Sequence, residues 1–401
     1  METQLGEVTV SASPQASGDL TQPTLVLDRE QLQRRQAATW GETLAGEAGI
    51  SASHFGAGAS RPIVRGMDGA RVSILSDGAE IQDASTVSPD HAVSSEPFLS
   101  RQAELLRGPS ALLYGASGSG GIVNILDDKI ATEYPDRNLQ GSAMLQAGTA
   151  AREKTGAFSL TGATRLPQSS LGLVLHAEGL KRDTGDYRVG SGWGQARVPG
   201  SFNRTDTGSL GLSLVGNAGY VGIAYTRQTA RYGLPGHNHG IEDCHVHGTH
   251  LHCGGHDHDH ASGEDGHDHA AASVPVVDLA SERWDLRGQW NQPVAGIAAV
   301  RVRGGWTRYR HDEIEDGTVA TTFKNRAHDL RLEVDHEPLA GWRGTLGLQT
   351  TDRRFSAIGE EAYVQPTDTR RDSFFWLEQY QSGAWRWQAA LRHERQSVEA
   401  L

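Results

Sequence analysis

Histidines separated by a single residue dominate one segment of the sequence. Between residues 237 and 269 the chain holds eleven of its 18 His, seven acidic residues, both Cys and no Lys or Arg. The histidines are His237/His239, His245/His247, His250/His252, His256/His258/His260 and His267/His269. In an extended chain, residues i and i+2 project to the same side, so each pair can offer two imidazoles to one metal ion.

The residues between these histidines widen the choice of ligands. Asp257, Asp259 and Asp268 can add carboxylate ligands or orient the imidazoles. Imidazole suits Zn²⁺, Cu²⁺ and Ni²⁺, so the segment alone does not name the metal. We expect loose, multi-site binding that is lost as the histidines protonate near their ordinary pKa of about 6.5. The alternative is a low-complexity loop whose charge serves solubility alone.

Segments in which apolar and polar residues alternate lie on both sides of the His-rich segment. Leu330, Leu332 and Val334 fall on one face of such a segment, while Arg331 and Glu333 fall on the other. About eleven segments of this kind, each roughly ten residues long, follow residue 137, and this pattern is typical of membrane β-barrels. A soluble antiparallel sandwich alternates in the same way, but charges in mid-strand and the number of segments favour the barrel. The barrel interpretation places His176, His328, His336 and His393 on the lumen wall.

The residues before 130 predict a small α+β unit. We expect a helix over 28–50, with Asp28 as its N-cap and Gly49 as its end. Short strands are expected at 62–66 and 71–75, and two further strands around a turn of helix and a Gly-rich loop at 101–126. This is enough apolar sequence for the core of one domain.

Charge and missing motifs exclude several functions. The 37 Lys and Arg against 49 Asp and Glu give a net charge of −12, which argues against a nucleic-acid partner. Nine acidic residues and no basic ones lie in 232–282, so most of this charge belongs to the His-rich region. The sequence contains no run of eighteen apolar residues, so it predicts no membrane-spanning helix. The Gly-rich run 115–121 lacks a phosphate-binding Lys, and no hydrolase or metalloprotease motif occurs, so we predict that the protein is not an enzyme.

Three groups of residues resemble TonB-dependent outer-membrane receptors. Residues 101–125, Ile63–Gly66 and Leu75–Gly78 look like the signature of the plug domain. The segment Leu5, Gly6, Glu7, Val8, Thr9, Val10 resembles the TonB box, which the energy-coupling protein TonB captures. The resemblance implies an α+β plug domain followed by an antiparallel transmembrane β-barrel of 22 strands, about half of which fit in this chain.

The resemblance also implies a division of the chain. We expect a TonB box and linker in residues 1–20, the plug in 21–130, and a partial barrel in 131–401 with a His-rich extracellular loop at 233–280. The chain is therefore expected to be a fragment without its signal peptide, unable to transport by itself. An open half-barrel would leave two edges uncovered.

The His-rich loop is similar to that of ZnuD-type zinc receptors. The similarity includes the run from Tyr232 to His239, the Cys244–His245 pair and the run from Tyr309 to Glu313. In that subfamily an Asp-His pair of the plug binds zinc with a barrel Glu and a more distant His. The resemblance therefore implies Asp90, His91 and Glu313 as ligands, favours His311 and Glu315 less, and places the last His beyond Leu401.

Cys244 and Cys253 bracket four of the loop histidines. Thiolate ligation of a metal is one interpretation. An exported loop lies in an oxidising compartment, which favours a disulfide that closes a small His-bearing lobe.

The function implied by the resemblance is that of a zinc receptor in the outer membrane of a Gram-negative cell, monomeric when full length and surrounded by lipid. The loop would gather Zn²⁺ and pass it to the plug site, and TonB would pair with the box as an added strand. The alternatives are a receptor for haem or a metal chelate, with His as axial ligands, and a metal-binding surface or periplasmic protein that does not transport. The clustered histidines favour the free ion.

Overall fold

The computed structural model describes residues 25–35, 37–115, 120–192, 194–236, 244–247, 250–253, 274–360, 362 and 364–401. The predicted TonB box, Leu5–Val10, lies outside these residues. None of the described helices is long and apolar enough to cross a membrane. The described chain consists of a small mixed unit, here called the first unit, and a large antiparallel sheet, here called the wall.

A five-stranded sheet forms the centre of the first unit. Its strands are β1 (Leu25–Asp28), β4 (Val72–Ser76), β5 (Ala79–Glu80), β6 (Gln102–Leu106) and β7 (Gly121–Leu126), and a separate pair is formed by β2 (Ile50–Ala52) and β3 (Pro62–Val64). The strands of the five-stranded sheet lie in the order β1-β6-β7-β4-β5. The α-helices are α1 (Arg29–Arg35), α2 (Trp40–Leu44) and α3 (Pro109–Leu112), with 3₁₀ turns at Gly69–Arg71 and Pro97–Leu99. Trp40, Leu105 and Val123 belong to the apolar core that holds these elements together.

The helix predicted over residues 28–50 is two helices. Asp28 caps the first as expected, because its Oδ1 accepts the Gln31 N–H at 2.8 Å and Gln31 Oε1 accepts the Asp28 N–H at 2.9 Å. Thr39 then adopts extended backbone, and its hydroxyl accepts the Glu42 N–H as the second N-cap. The prediction of one continuous helix is therefore wrong.

Eleven antiparallel strands form the wall, each paired with its neighbour along the sheet. They are β8 (Leu139–Gly148), β9 (Glu153–Arg165), β10 (Gly172–Thr184), β11 (Asn203–Gly216), β12 (Gly219–Gly233), β15 (Val276–Asn291), β16 (Ile297–Glu315), β17 (Thr318–His336), β18 (Trp342–Gly359), β19 (Thr367–Ser382) and β20 (Trp385–Ala400). A hairpin of β13 (Cys244–His247) and β14 (His250–Cys253) lies in the segment between β12 and β15. The alternating pattern of the sequence predicted about eleven strands after residue 137, and the wall has eleven in the described chain.

The polar face of the wall is the buried one. Along β17, Arg331 and Glu333 are 0% and 1% exposed, whereas Leu330 and Leu332 are 45% and 42% exposed. The first unit covers the polar face, and the apolar face points away from it. This is the reverse of a water-soluble sandwich, in which the apolar face is buried.

The strand histidines do not all share the predicted face. His176 is buried on the inner face, 2.9 Å from the Thr161 hydroxyl. The outer face holds His328, His336 and His393, which alternate with inward residues of the same strands. The lumen prediction is wrong for these three because strand register, and not the polarity of a single residue, decides the face.

Ion pairs attach the first unit to the wall. Arg287 of β15 makes a bidentate pair with Asp127 at 2.9 and 3.0 Å, and its Nε lies 2.9 Å from Asp77. Arg182 of β10 pairs in the same way with Glu96 at 2.8 and 2.9 Å. Buried charges of this kind are tolerated because each has an opposite charge and hydrogen bonds.

We predict that Arg287→Met loosens this attachment, because it leaves the carboxylates of Asp127 and Asp77 without their main partner. Burial alone would raise the pKa of Asp127, but Arg287 and Lys129 hold it far below its ordinary range. The carboxylate is therefore charged at neutral pH, and the pair's contribution is lost only as the pH falls through the acid range. The expected loss is about 3–5 kcal/mol of unfolding free energy, measured by thermal melting in detergent.

Arg34→Met is the matched control. It breaks the exposed Arg34–Glu30 pair of α1, at 2.5 Å, and should cost less than about 1 kcal/mol. Equal losses of unfolding free energy in the two variants would contradict the prediction that the buried Arg287–Asp127 pair holds the first unit to the wall.

Candidate metal centre

Two segments far apart in sequence meet on the inner face of the wall. Asp90 and His91 lie in the loop between β5 and β6. His311 and Glu313 alternate along β16 and therefore project inward together. His91 and Glu313 are 222 residues apart in the chain, and only the packing of the first unit against the wall brings them into contact.

Four side chains converge at this point. Nε2 of His91 lies 3.1 Å from Oε1 of Glu313 and 3.8 Å from Oδ1 of Asp90. Nε2 of His311 lies 3.5 Å from the same Glu313 oxygen. One donor atom from each of His91, His311 and Glu313 lies within 4.8 Å of the other two. All four side chains are buried, with no more than 5% of any residue exposed.

Hydrogen bonds orient both imidazoles. Nδ1 of His91 lies 3.1 Å from the Ala84 carbonyl oxygen, and Nδ1 of His311 lies 2.7 Å from the Tyr309 hydroxyl. With a proton on each Nδ1, both Nε2 lone pairs face the point of convergence. Such outer contacts fix the tautomer and orientation of His residues that bind metals. Phe323 packs against both rings, with centroids 4.7 and 4.4 Å away.

Two buried polar atoms at the centre have no hydrogen-bond partner within the described residues. They are Oδ1 of Asp90 and Nε2 of His311. A buried polar atom left unpaired costs about 1–3 kcal/mol. A divalent cation would satisfy both atoms and the carboxylate charges, and two nitrogens with two carboxylate oxygens form a donor set that zinc accepts. The residues present therefore fit a metal ion.

Tyr232 holds the Asp90 segment from the wall side. Its hydroxyl accepts the Ala92 N–H at 2.9 Å and donates to the Asp90 carbonyl at 3.2 Å. Its ring is fully buried against Gly58, where a Cβ atom would lie only 2.3 Å from the ring. Because Tyr232 lies at the end of β12, it connects the start of the His-rich segment to the metal-centre loop.

Nearby carboxylates control the charge of His91. Burial alone would lower the pKa of His91, but the hydrogen bond to Glu313 and the charges of Asp90 and Glu313 raise it above its ordinary value. In the metal-free centre His91 therefore holds its proton to a higher pH than an ordinary histidine does, and an arriving ion competes with that proton. Metal affinity consequently falls as the pH falls through this raised pKa.

The sequence-predicted ligands Asp90, His91 and Glu313 lie together in the structure. His311, which the sequence favoured less, joins His91 and Glu313 in the group whose donor atoms lie within 4.8 Å of one another, and Asp90 lies 3.8 Å from His91. The histidine expected beyond Leu401 stays a prediction. The overlooked signal is the i,i+2 spacing of His311 and Glu313 within a strand.

Most of the His-rich segment lies outside the described residues, including His237, His239, His256, His258, His260, His267 and His269. The backbone of the β13–β14 hairpin pairs Cys244 with Cys253, His245 with His252 and His247 with His250. Opposed residues of an antiparallel pair have Cα atoms about 4.5–5.5 Å apart, a separation that a disulfide can span. The disulfide and the loop ligands stay predictions.

We predict that His311→Ala lowers the affinity of the centre for Co²⁺, a spectroscopic substitute for Zn²⁺, by at least about 100-fold, because one of four donors is lost. The measurement is a visible-absorption titration of protein that lacks residues 237–269. His328→Ala, the same substitution on the outer face of β17, is the control and should leave the affinity unchanged. Unchanged Co²⁺ affinity in His311→Ala would contradict the four-donor centre.

Known proteins are similar to this chain in both parts. Residues 17–122 match the family described as the TonB-dependent Receptor Plug Domain. The copper transporter OprC matches with a TM-score of 0.73 and 14% identity, over 99% of this chain and 57% of that one. The siderophore receptor PirA from Pseudomonas aeruginosa matches with a TM-score of 0.61 and 15% identity, over 96% of this chain and 58% of that one. The ferric citrate transporter FecA matches with a TM-score of 0.62 and 13% identity, over 98% of this chain and 60% of that one.

At these identities the solved structures establish the fold alone, and this chain spans about three fifths of their length. The predicted fold class, a plug domain followed by part of an antiparallel barrel, is confirmed. The ZnuD-type resemblance stays a prediction. Residues 17–122 thus match the TonB-dependent receptor plug domain, and the described chain is similar in fold to TonB-dependent receptors.

Proposed function

We propose that this chain forms the plug and part of the barrel of an outer-membrane receptor that takes up Zn²⁺ with energy from TonB. The observation that carries the proposal is the convergence of Asp90, His91, His311 and Glu313 at the contact between plug and wall. The metal is the cargo and not a resident cofactor. The receptor lies in the outer membrane of a Gram-negative cell, surrounded by lipid and monomeric when full length.

The donor set favours zinc over other cargoes. Ca²⁺ and Mg²⁺ prefer oxygen ligands alone, whereas Cu⁺ prefers thiolate and thioether sulfur. His91 and His311 supply nitrogen, Asp90 and Glu313 supply oxygen, and no sulfur belongs to the described cluster. Zn²⁺ accepts this mixture in tetrahedral geometry, and Cu²⁺, Ni²⁺ and Co²⁺ are its competitors for nitrogen and oxygen ligands.

The dimensions of the centre oppose haem as cargo. The rings of His91 and His311 lie 4.4 Å apart between centroids and contact the same Phe323 side chain. Tyr309 and Tyr232 enclose them further, and both are almost fully buried. Such an enclosure suits a single ion and leaves no space for a porphyrin plane between the imidazoles.

Division of the ligands between two bodies supports a release mechanism. Asp90 and His91 belong to the plug, whereas His311 and Glu313 belong to the wall. Any movement of the plug loop separates the two pairs and leaves two donors for the ion, which lowers its affinity. We propose that TonB pairs with the predicted box, Leu5–Val10, as an added strand and pulls the plug in this way.

The geometry next to the centre supports a role for the His-rich segment in capture. The Leu234 N–H donates to the Pro275 carbonyl at 2.9 Å, so the two ends of the segment meet. Leu234 and Val277 belong to the same buried cluster as Tyr232, which holds the Asp90 loop. An ion bound weakly by the loop histidines would therefore be released close to the four-donor centre.

We predict two separable classes of zinc site in isothermal titration calorimetry of the receptor. Asp90→Ala and Glu313→Ala should abolish the tight one-equivalent class by removing a carboxylate donor, and deletion of 237–269 should remove only the weak, multi-site class. The same titrations with Cu²⁺, Ni²⁺ and haem test the cargo. Asp312→Ala is the control, because Asp312 points to the outer face and pairs with Arg310 at 2.9 Å.

Tight zinc binding that survives both Asp90→Ala and Glu313→Ala but disappears with the loop would overturn the discrete centre. Haem binding at one equivalent, in place of zinc, would replace the proposed cargo.

A further inference from the structure

A cavity of about 270 Å³ lies between the plug and the wall, beside the metal centre. The plug contributes the segment 80–83 with Ser85 and Thr86 to its lining, and the wall contributes inward residues of β18, β19 and β20. Ala84, whose carbonyl oxygen lies 3.1 Å from Nδ1 of His91, is therefore flanked by residues that line the cavity.

Two arginines of the wall lie diagonally across this lining. Arg353 of β18 lies opposite Thr369 of β19, and Thr351 lies opposite Arg371 in the next inward row. All four residues line the cavity. Diagonal neighbours on two antiparallel strands are about 7–8 Å apart, so two side chains as long as arginine can reach one small ligand.

Arg353 makes no ion pair in the described part of the chain. Its Nε donates to Oδ1 of Asn325 at 3.2 Å, and its guanidinium lies over the Phe355 ring, 4.9 Å from the centroid. Its Nη2 is buried and has no hydrogen-bond partner among the described residues. A charged donor that is withdrawn from water costs free energy unless an acceptor pairs with it. Arg353 therefore calls for an anion.

The two acidic residues of the lining are already engaged. Glu80 forms an ion pair with Arg371, whose Nε still has no partner among the described residues. Both carboxylate oxygens of Asp83 accept hydrogen bonds from its own loop. The Ser85 N–H donates to Oδ1 at 2.9 Å, and the Ser94 N–H donates to Oδ2 at 2.8 Å. Neither carboxylate is free to pair with a further arginine.

The lining therefore lacks one negative charge, because it holds three arginines and two acidic residues. We propose that the cavity binds a small divalent oxyanion of the phosphate type, held by Arg353 and Arg371 with the hydroxyl of Thr369. Oxyanions accept charge-assisted hydrogen bonds from guanidinium groups. Since one water molecule takes up about 30 Å³ of liquid, the cavity has room for such an ion and several waters. The proposal depends neither on zinc as the cargo nor on the membrane location.

The test is isothermal titration calorimetry of the detergent-purified, metal-free protein with inorganic phosphate at constant ionic strength. Arg353→Gln should weaken phosphate binding at least about tenfold, because it removes a charge-assisted donor. Arg370→Gln is the matched control, since Arg370 is exposed on the outer face of β19 and pairs with Asp372 at 3.1 Å. The control should bind phosphate as the unchanged protein does.

A second variant should produce a gain in affinity, which a folding defect cannot imitate. Glu80→Gln releases Arg371 from its ion pair and should strengthen phosphate binding. Zinc affinity of Arg353→Gln, measured without phosphate, should stay constant because this variant removes no metal ligand. That measurement separates the anion site from the metal centre.

Phosphate binding that is equal in Arg353→Gln and Arg370→Gln, or absent from the unchanged protein, would overturn the proposal. Unchanged affinity in Glu80→Gln would also overturn it, because Arg371 would then not be a donor. Acetate bound as tightly as phosphate would contradict a site for a divalent ion.

Discussion

The carboxylate of Glu313 is buried where the plug meets the wall, and its negative charge must be balanced there. It lies between two imidazoles, one from the plug and one from its own strand, at 3.1 and 3.5 Å. Asp90 adds a second carboxylate, and two polar atoms at the centre have no partner among the described residues. A cation of suitable size resolves all of these costs at once, because it satisfies the donors and balances the negative charge.

The surrounding structure meets this constraint with two kinds of contact. Near the centre, the apolar cluster that includes Tyr232, Tyr309 and Phe323 excludes water and fixes the rings. Farther away, charged pairs such as Arg287–Asp127 and Arg182–Glu96 hold the plug. Apolar packing also crosses this contact, because Ala84 packs in one buried cluster with Tyr232, and Tyr114 packs in another with Phe375. The plug is therefore held against the wall by ion pairs and apolar packing together.

Much of the fold was predictable because period-two alternation determines which face of a strand is apolar. Leu330 and Leu332 alternate with Arg331 and Glu333 in the sequence, and the structure separates them in the same way. Local capping chemistry predicted Asp28 as an N-cap. The break before Thr39 was missed because a single hydroxyl decides it, and the outer-face histidines were misplaced because polarity alone does not set register.

The centre was only partly predictable. Asp90, His91 and Glu313 came from a resemblance, and no local pattern links residues 222 positions apart. The position of His311 beside His91 could not be predicted, because it depends on the depth at which β16 meets the plug loop, which is a property of packing. Zinc-edge anomalous diffraction from crystals of the protein with one equivalent of Zn²⁺ shows directly where the ion binds. We expect one dominant peak about 2.0–2.2 Å from the donor atoms of His91, His311, Glu313 and Asp90. A dominant peak in the His-rich segment, with none between plug and wall, would contradict it.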